Sequence, residues 1–252
     1  MRILLWAECQ KLRRSNILML NAFAIVFIAV IVLIGGKTTV DGVDFSESSG
    51  WYMVTTLTWA TMFVLPAMTA LMGSYMICRE EQDDTIKYLR LIPINEAKLT
   101  AAKMIVTFVL SVLIYLLLFI ITLVIEAVLH FSALSMGIVL DFLKMYLIQG
   151  AGVFFAVSPI IAIVPYIKKS YWVALLLAEI YSFSALFMSM SNPLKNFYPI
   201  TAVFGVSGYY ETSVQELIYC IISLSLCGCL ALVLLAGLNH SQKGKIHEKK
   251  II

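Results

Sequence analysis

Polar residues are so sparse along this chain that its apolar stretches set the architecture. Six of them, residues 17–34, 53–77, 104–129, 142–167, 171–190 and 214–238, are each close to the ~20 residues a helix needs to cross the hydrocarbon core of a bilayer. A chain in lipid must satisfy its backbone polar groups internally, so the six runs are predicted to be helices. The remaining segments are short. Residues 1–16 mix Ile3, Leu4, Leu5, Trp6 and Leu12 with Glu8, Lys11, Arg13 and Arg14. The recurrence of Leu5, Cys9 and Leu12 at i, i+4, i+7 predicts a helix lying in the membrane interface. Residues 191–213 are apolar and aromatic but broken by Pro193, Pro199, Gly205 and Gly208. They suit a re-entrant or interfacial pair of short helices before the sixth span.

Composition agrees with this pattern: 61% of residues are hydrophobic, 13% are charged, and mean hydropathy is +0.94. An ordinary soluble domain is excluded. The net charge is only +3 and says little about partners; no nucleic-acid partner is expected. The distribution of the charge is more telling. With the N-terminus inside, fifteen of the eighteen lysines and arginines fall on the cytoplasmic side, leaving Lys37, Lys144 and Lys195 outside. The positive-inside rule therefore predicts both termini in the cytoplasm and a multi-pass protein of the plasma membrane. No small-residue cleavage site follows the first apolar run, so that run is expected to remain as a span.

Candidate chemistry is thin. Gly36-Lys37-Thr38 resembles the end of a phosphate-binding loop, but Ile31 stands where its first glycine is needed. No ATP site is expected on this chain, and no catalytic residue. Cys9, Cys78, Cys220, Cys227 and Cys229 form no CxxC pair and read as reduced, with no metal site. Glu179 falls near the middle of the fifth span, where a carboxylate must face protein or water or be neutral. It is a candidate for a substrate path or for a hydrogen-bonded helix interface. Glu126, in the last turn of the third span, is expected to reach the headgroups. Asn21 is expected to join helices in the first span, as a candidate for the same path or interface. Ala67, Ala70, Gly73 and Ser74 permit close packing along the second.

Charge concentrates in residues 78–103, which hold Arg79, Lys87, Arg90, Lys98 and Lys103 beside Glu80, Glu81, Asp83, Asp84 and Glu96. Asp84 can cap a short helix containing Ile86 and Leu89, Pro93 stops it, and Asn95 can cap a second helix that enters the third span. Lysines and arginines alone would orient the loop. The added acids and the apolar Ile86, Leu89, Leu91 and Ile92 predict a surface that docks another protein.

In this order of elements the chain resembles the membrane subunit of a type-2 ABC exporter. Glu80-Glu81, Thr85, Leu89, Pro93 and Lys103 match the acidic start, threonine, helix, proline and lysine of that family's coupling helix. Asp84 departs from the small residue that commonly precedes the threonine. Residues Trp6 to Ser15 resemble small bacterial permeases of lantibiotic self-immunity and bacitracin-type transport. The resemblance implies an all-α polytopic membrane protein forming one transmembrane domain, residues 1–252. It would comprise an elbow helix (1–16), six spans, a cytoplasmic coupling loop (78–103) with Glu80, Glu81, Thr85, Ile86, Leu89 and Pro93 at the coupling surface, an outer re-entrant segment (191–213) and a cytoplasmic tail (239–252). It also implies a separate ATPase that carries ATP and Mg, a second permease copy or homologue, and export of amphipathic peptides or peptide-like antibiotics. Two other classes remain open: a proton-coupled secondary transporter using Glu179, and a non-transporting sensor or scaffold.

Overall fold

A computed structural model of the chain describes residues 2–13, 15–36, 49–82, 96–131, 134–167, 171–191 and 193–248. The described residues are helical, with no strand among them. In chain order the helices are α1 (Arg2–Arg13), α2 (Ile17–Gly36), α3 (Trp51–Trp59), α4 (Leu65–Gln82), α5 (Glu96–His130), α6 (Met136–Ile167), α7 (Tyr171–Ser189), α8 (Leu194–Phe197), α9 (Pro199–Ser207) and α10 (Val214–Glu248). A π turn, Ala60–Val64, joins α3 to α4 within one span. Among the described residues, six helical segments are thus long and apolar enough to cross a membrane.

The predicted runs understate two spans. The third begins at Glu96 rather than 104 and the fourth at Met136 rather than 142. In each case the helix continues past the apolar run into charged residues, which hydropathy counts as loop. The sixth span, Val214–Leu238, matches its predicted bounds, and the helix α10 continues beyond it to Glu248.

α6 is the central helix, packed by α4, α5, α9 and α10, while α7 lies against α4. Its approach to α5 depends on Gly150: a Cβ there would stand 3.1 Å from the Val112 Cα and 3.0 Å from the Tyr115 Cβ. The same close approach lets the Ser111 hydroxyl donate to the Gly150 carbonyl at 2.8 Å. α6 also contains Pro159 and Pro165. Pro159 has no N–H for the carbonyl of Phe155 four residues earlier, and the Ser158 hydroxyl donates to that oxygen instead, at 2.8 Å.

The outer helices bury one stripe each. α2 turns Ile17, Asn21, Ile25, Ile28 and Val32 inward and exposes Phe23, Phe27 and Ile31. This is the reverse of a soluble helix only in what surrounds it, since lipid solvates the apolar outside. The segment between α7 and α10 folds as α8 and α9. Gly208, at φ 77°, closes α9 in the left-handed conformation that glycine adopts without strain. Of the residues predicted for the coupling surface, Thr85, Ile86, Leu89 and Pro93 lie outside the described residues.

Candidate functional site

A cluster of charged side chains forms where α1, the end of α4 and the start of α5 meet. Glu80 is 6% exposed and Lys103 2% exposed. Each Glu80 oxygen accepts from a different lysine: Oε1 from Lys11 Nζ at 2.7 Å, and Oε2 from Lys103 Nζ at 2.9 Å. Lys11 also pairs with Glu8 at 2.9 Å, and Lys103 donates to the Met76 carbonyl at 2.7 Å. Arg79 donates to the Lys11 carbonyl at 3.0 Å and lies over the Tyr75 ring. Buried charges persist only when paired and hydrogen-bonded, and this cluster meets that condition through three helices. Partial burial opposes the charge on Lys11, but hydrogen bonds to Glu80 and Glu8 outweigh it and raise its pKa above the ordinary ammonium value.

The inward face of α1 differs from the expected one. Leu5 packs against the core and Leu12 is buried, but Glu8 takes the position between them and Cys9 is exposed. An acid replaces an apolar residue there because Lys11 and the cluster satisfy it. Trp6 stays 66% exposed, turned away from the bundle.

Glu80 therefore points into the fold and braces it. The helix that carries it ends at Gln82, and α5 begins at Glu96. The cluster holds both stems of the 83–95 segment together and ties them to α1.

A second polar group crosses the core at the π turn. Thr61 Oγ1 hydrogen-bonds the Tyr115 hydroxyl at 2.9 Å and donates to Gln149 Oε1 at 2.8 Å, and Gln149 Nε2 donates to Ser207 Oγ at 3.1 Å. This set joins the second, third and fourth spans to α9. Pro66 just beyond the π turn cannot continue the regular hydrogen-bond ladder, and the widened turn brings Thr61 into the set. Sequence reading missed the set because Thr61 and Gln149 are isolated polar residues on separate helices.

Glu126 does not reach the headgroups. It is 0% exposed, accepts from the Gly50 N–H at 2.7 Å and meets His130 Nδ1 at 3.0 Å. Gly50 opens α3, so the carboxylate sits where a helix N-terminus favours negative charge. Asn21 is buried, but its amide donates to Ile17 of its own helix at 2.8 Å and not to a neighbouring helix among the described residues. Glu179 is half-buried beside the inward row Ala174, Ala178, Ser182 and Ala185 of α7, with no ion pair among the described residues. The structure brings neither Asn21 nor Glu179 to the charge cluster.

At the end of the bundle where α10 begins, α8 is latched to α10. Asn196 donates to Glu216 at 3.2 Å, and Glu216 in turn accepts from the Ser213 N–H at 2.8 Å. Ser223 donates to the Phe197 carbonyl at 2.7 Å, and the Tyr198 hydroxyl to the Tyr181 carbonyl.

Residues 4–185, which include α1, the charge cluster and the spans through most of α7, match the ABC-2 family transporter proteins. The chain belongs to this family. It is accordingly a type-2 ABC permease subunit, the membrane component of a transporter and not its catalytic part. A stretch of 88 residues is 31% identical to the bacitracin transport permease protein of Bacillus licheniformis, covering 35% of this chain and 42% of that protein. The match therefore spans less than half of that relative. In this ABC-2 subunit the three buried partners of the cluster, Glu8, Glu80 and Lys103, all lie inside the family match.

Proposed function

We propose that this permease exports amphipathic antimicrobial peptides or peptide-like antibiotics from the membrane, protecting the cell that carries it. The observation behind this substrate class is the similarity to a bacitracin transport permease. Two copies of the permease, or this chain and a homologue, would join two ATPases that hold ATP and Mg. Both termini would be cytoplasmic, as the lopsided distribution of lysine and arginine favours. α1 would lie at the interface as an elbow, with Trp6 at headgroup level. Residues 191–213 would form the outer re-entrant element.

Coupling would run through residues 78–103. Glu81, Thr85, Ile86, Leu89 and Pro93 would meet the ATPase. Glu80 would act one step behind them. A push on the 83–95 segment would pass through the Glu80 carboxylate to Lys103 on α5 and Lys11 on α1 together, because one side chain binds both lysines. The chain would supply no covalent chemistry.

The test is co-expression of the chain with its ATPase in a sensitive Gram-positive host, beside an ATPase-dead control. Minimum inhibitory concentrations would be measured for lantibiotics, bacitracin and unrelated drugs. ATP-dependent protection against membrane-active peptides is expected. Protection only against a small drug, or export of a lipid, would remove the peptide class and leave the exporter.

A further inference from the structure

We propose that the groove between α5, α6 and α10 is a phospholipid site, seating one acyl chain with the lipid phosphate at Lys98. The groove holds ≈460 Å³. Its wall includes Ala101, Ile105 and Phe108 of α5, Phe155 of α6, and Gly228 and Leu232 of α10. Of its few polar groups, the Ser158 hydroxyl already donates to the Phe155 carbonyl. A peptide backbone would find little there to satisfy its polar groups, whereas a hydrocarbon chain has none to satisfy.

The dimensions suit the same occupant. The α10 wall runs from Ser225 to Leu235, about 15 Å at the helical rise, which matches one leaflet of a hydrocarbon core about 30 Å thick. A groove of that length and ≈460 Å³ has room for a methylene chain along it. α10 makes room by placing Gly228 opposite Phe155, where a Cβ would already stand 3.3 Å from the ring.

The charge lies at the correct end. Lys98, Ala101, Ile105 and Phe108 follow the i, i+3, i+7, i+10 spacing of one helix face, and Lys98 is exposed one turn beyond the end of the groove. Lys103, which faces the opposite way, is engaged by Glu80. A cation at the headgroup end of an apolar slot is the arrangement that holds an anionic phospholipid. The site is independent of which leaflet faces the cytoplasm, and of the substrate proposed above.

The purified full-length chain in detergent would be titrated with 1-palmitoyl-2-oleoyl phosphatidylglycerol or the matching phosphatidylcholine, and bound lipid counted by native mass spectrometry. One retained phosphatidylglycerol per chain is expected, with weaker retention of phosphatidylcholine. Lys98→Ala should weaken the phosphatidylglycerol adduct about fivefold, while Lys144→Ala, a cation at the other membrane surface, should not. Gly228→Phe, which fills the groove, should abolish retention of both lipids. Leu232→Trp narrows the same slot from its exposed wall and serves if the first variant does not fold. Equal loss in Lys98→Ala and Lys144→Ala, or full retention in a folded groove-filling variant, would overturn the site. So would efficient cross-linking of Cys229 between two copies, which would mean that a second chain covers the groove.

Discussion

Replacing Glu80 by glutamine should damage this protein more than replacing Lys103 by methionine, although the two residues form one ion pair. Glu80→Gln leaves Lys103, 2% exposed, with a neutral amide and the Met76 carbonyl in place of a carboxylate. An uncompensated buried charge of this kind costs about 3–5 kcal/mol. Lys103→Met removes the same contact but leaves Glu80 bound to Lys11 at 2.7 Å, and Lys11 is partly in contact with solvent. That loss resembles one charged hydrogen bond, about 1.5–3 kcal/mol. In a chain of this size 1 kcal/mol moves the midpoint by about 2–4 °C, so Glu80→Gln should lower it by about 6–20 °C and Lys103→Met by about 3–12 °C. The readout is the temperature at which half of the detergent-solubilised chain remains monodisperse. The double variant Glu80→Leu/Lys103→Met should be more stable than Glu80→Gln alone, because no buried charge is left behind. A larger loss for Lys103→Met, or strictly additive losses in the double variant, would refute the reading of the cluster as a buried, mutually dependent set. High salt should change the Glu80–Lys103 contribution little, since both side chains are buried.

The remaining expectations are narrower. Thr61→Val orphans both Tyr115 and Gln149 Oε1 in the core and should cost about 1–3 kcal/mol, read as a lowered midpoint; a neutral result would mean the π turn does not depend on this set. Because the pKa of Lys11 is raised in the fold, its contribution to stability should be complete below 10.5, the ordinary value, and fall as pH rises through the higher folded one; a loss between pH 7 and 9 that Lys11→Met abolishes would contradict this. Glu179→Leu with full activity, beside an active Glu179→Gln, would retire that residue, whereas loss in both would assign it a charged or proton-linked role. An impermeant thiol reagent should label a single cysteine at Ser46 from outside and not one at Ser241; the opposite pattern would invert the topology.

What could be read from the sequence followed the range of each physical signal. The six spans were legible because hydropathy is a local sum over about 20 residues. The early start of α5 was only half legible. Asn95 and Glu96 carry a helix-start signal, yet Lys98 and Lys103 lower the local hydropathy and hide that the helix is continuous. Glu80 stood out in the sequence as one acid of a charged segment and not as a buried one, since its partners lie 69 and 23 positions away. Two signals pointed to it. Glu8 interrupts the apolar stripe of α1, and Lys103 lies a full turn and more inside a helix, too deep for a residue that merely marks the cytoplasmic side. Glu126 was misplaced for a related reason. Depth along a helix can be counted from sequence, but the Gly50 amide that receives the carboxylate comes from another helix.

The position of the charge cluster bears on how a push from outside the bilayer can enter this fold. A loop joined only to the ends of two spans would deform by itself and pass little on. Here the stems of the 83–95 segment share one carboxylate, and that carboxylate also holds α1. The three helices move together or the buried ion pairs break, at about 3–5 kcal/mol for an orphaned partner. Glu81→Lys and Glu80→Gln should therefore fail differently. If Glu81 meets the ATPase as proposed, Glu81→Lys should weaken co-purification with it while leaving the thermal midpoint of the isolated permease unchanged, because like charges would then face each other only at that interface. Glu80→Gln should lower the midpoint and, in the fraction that remains folded at low temperature, retain the ATPase but transport poorly. Co-purification lost in Glu80→Gln with an unchanged midpoint would place its carboxylate at the partner's surface after all, and the brace would have to be abandoned.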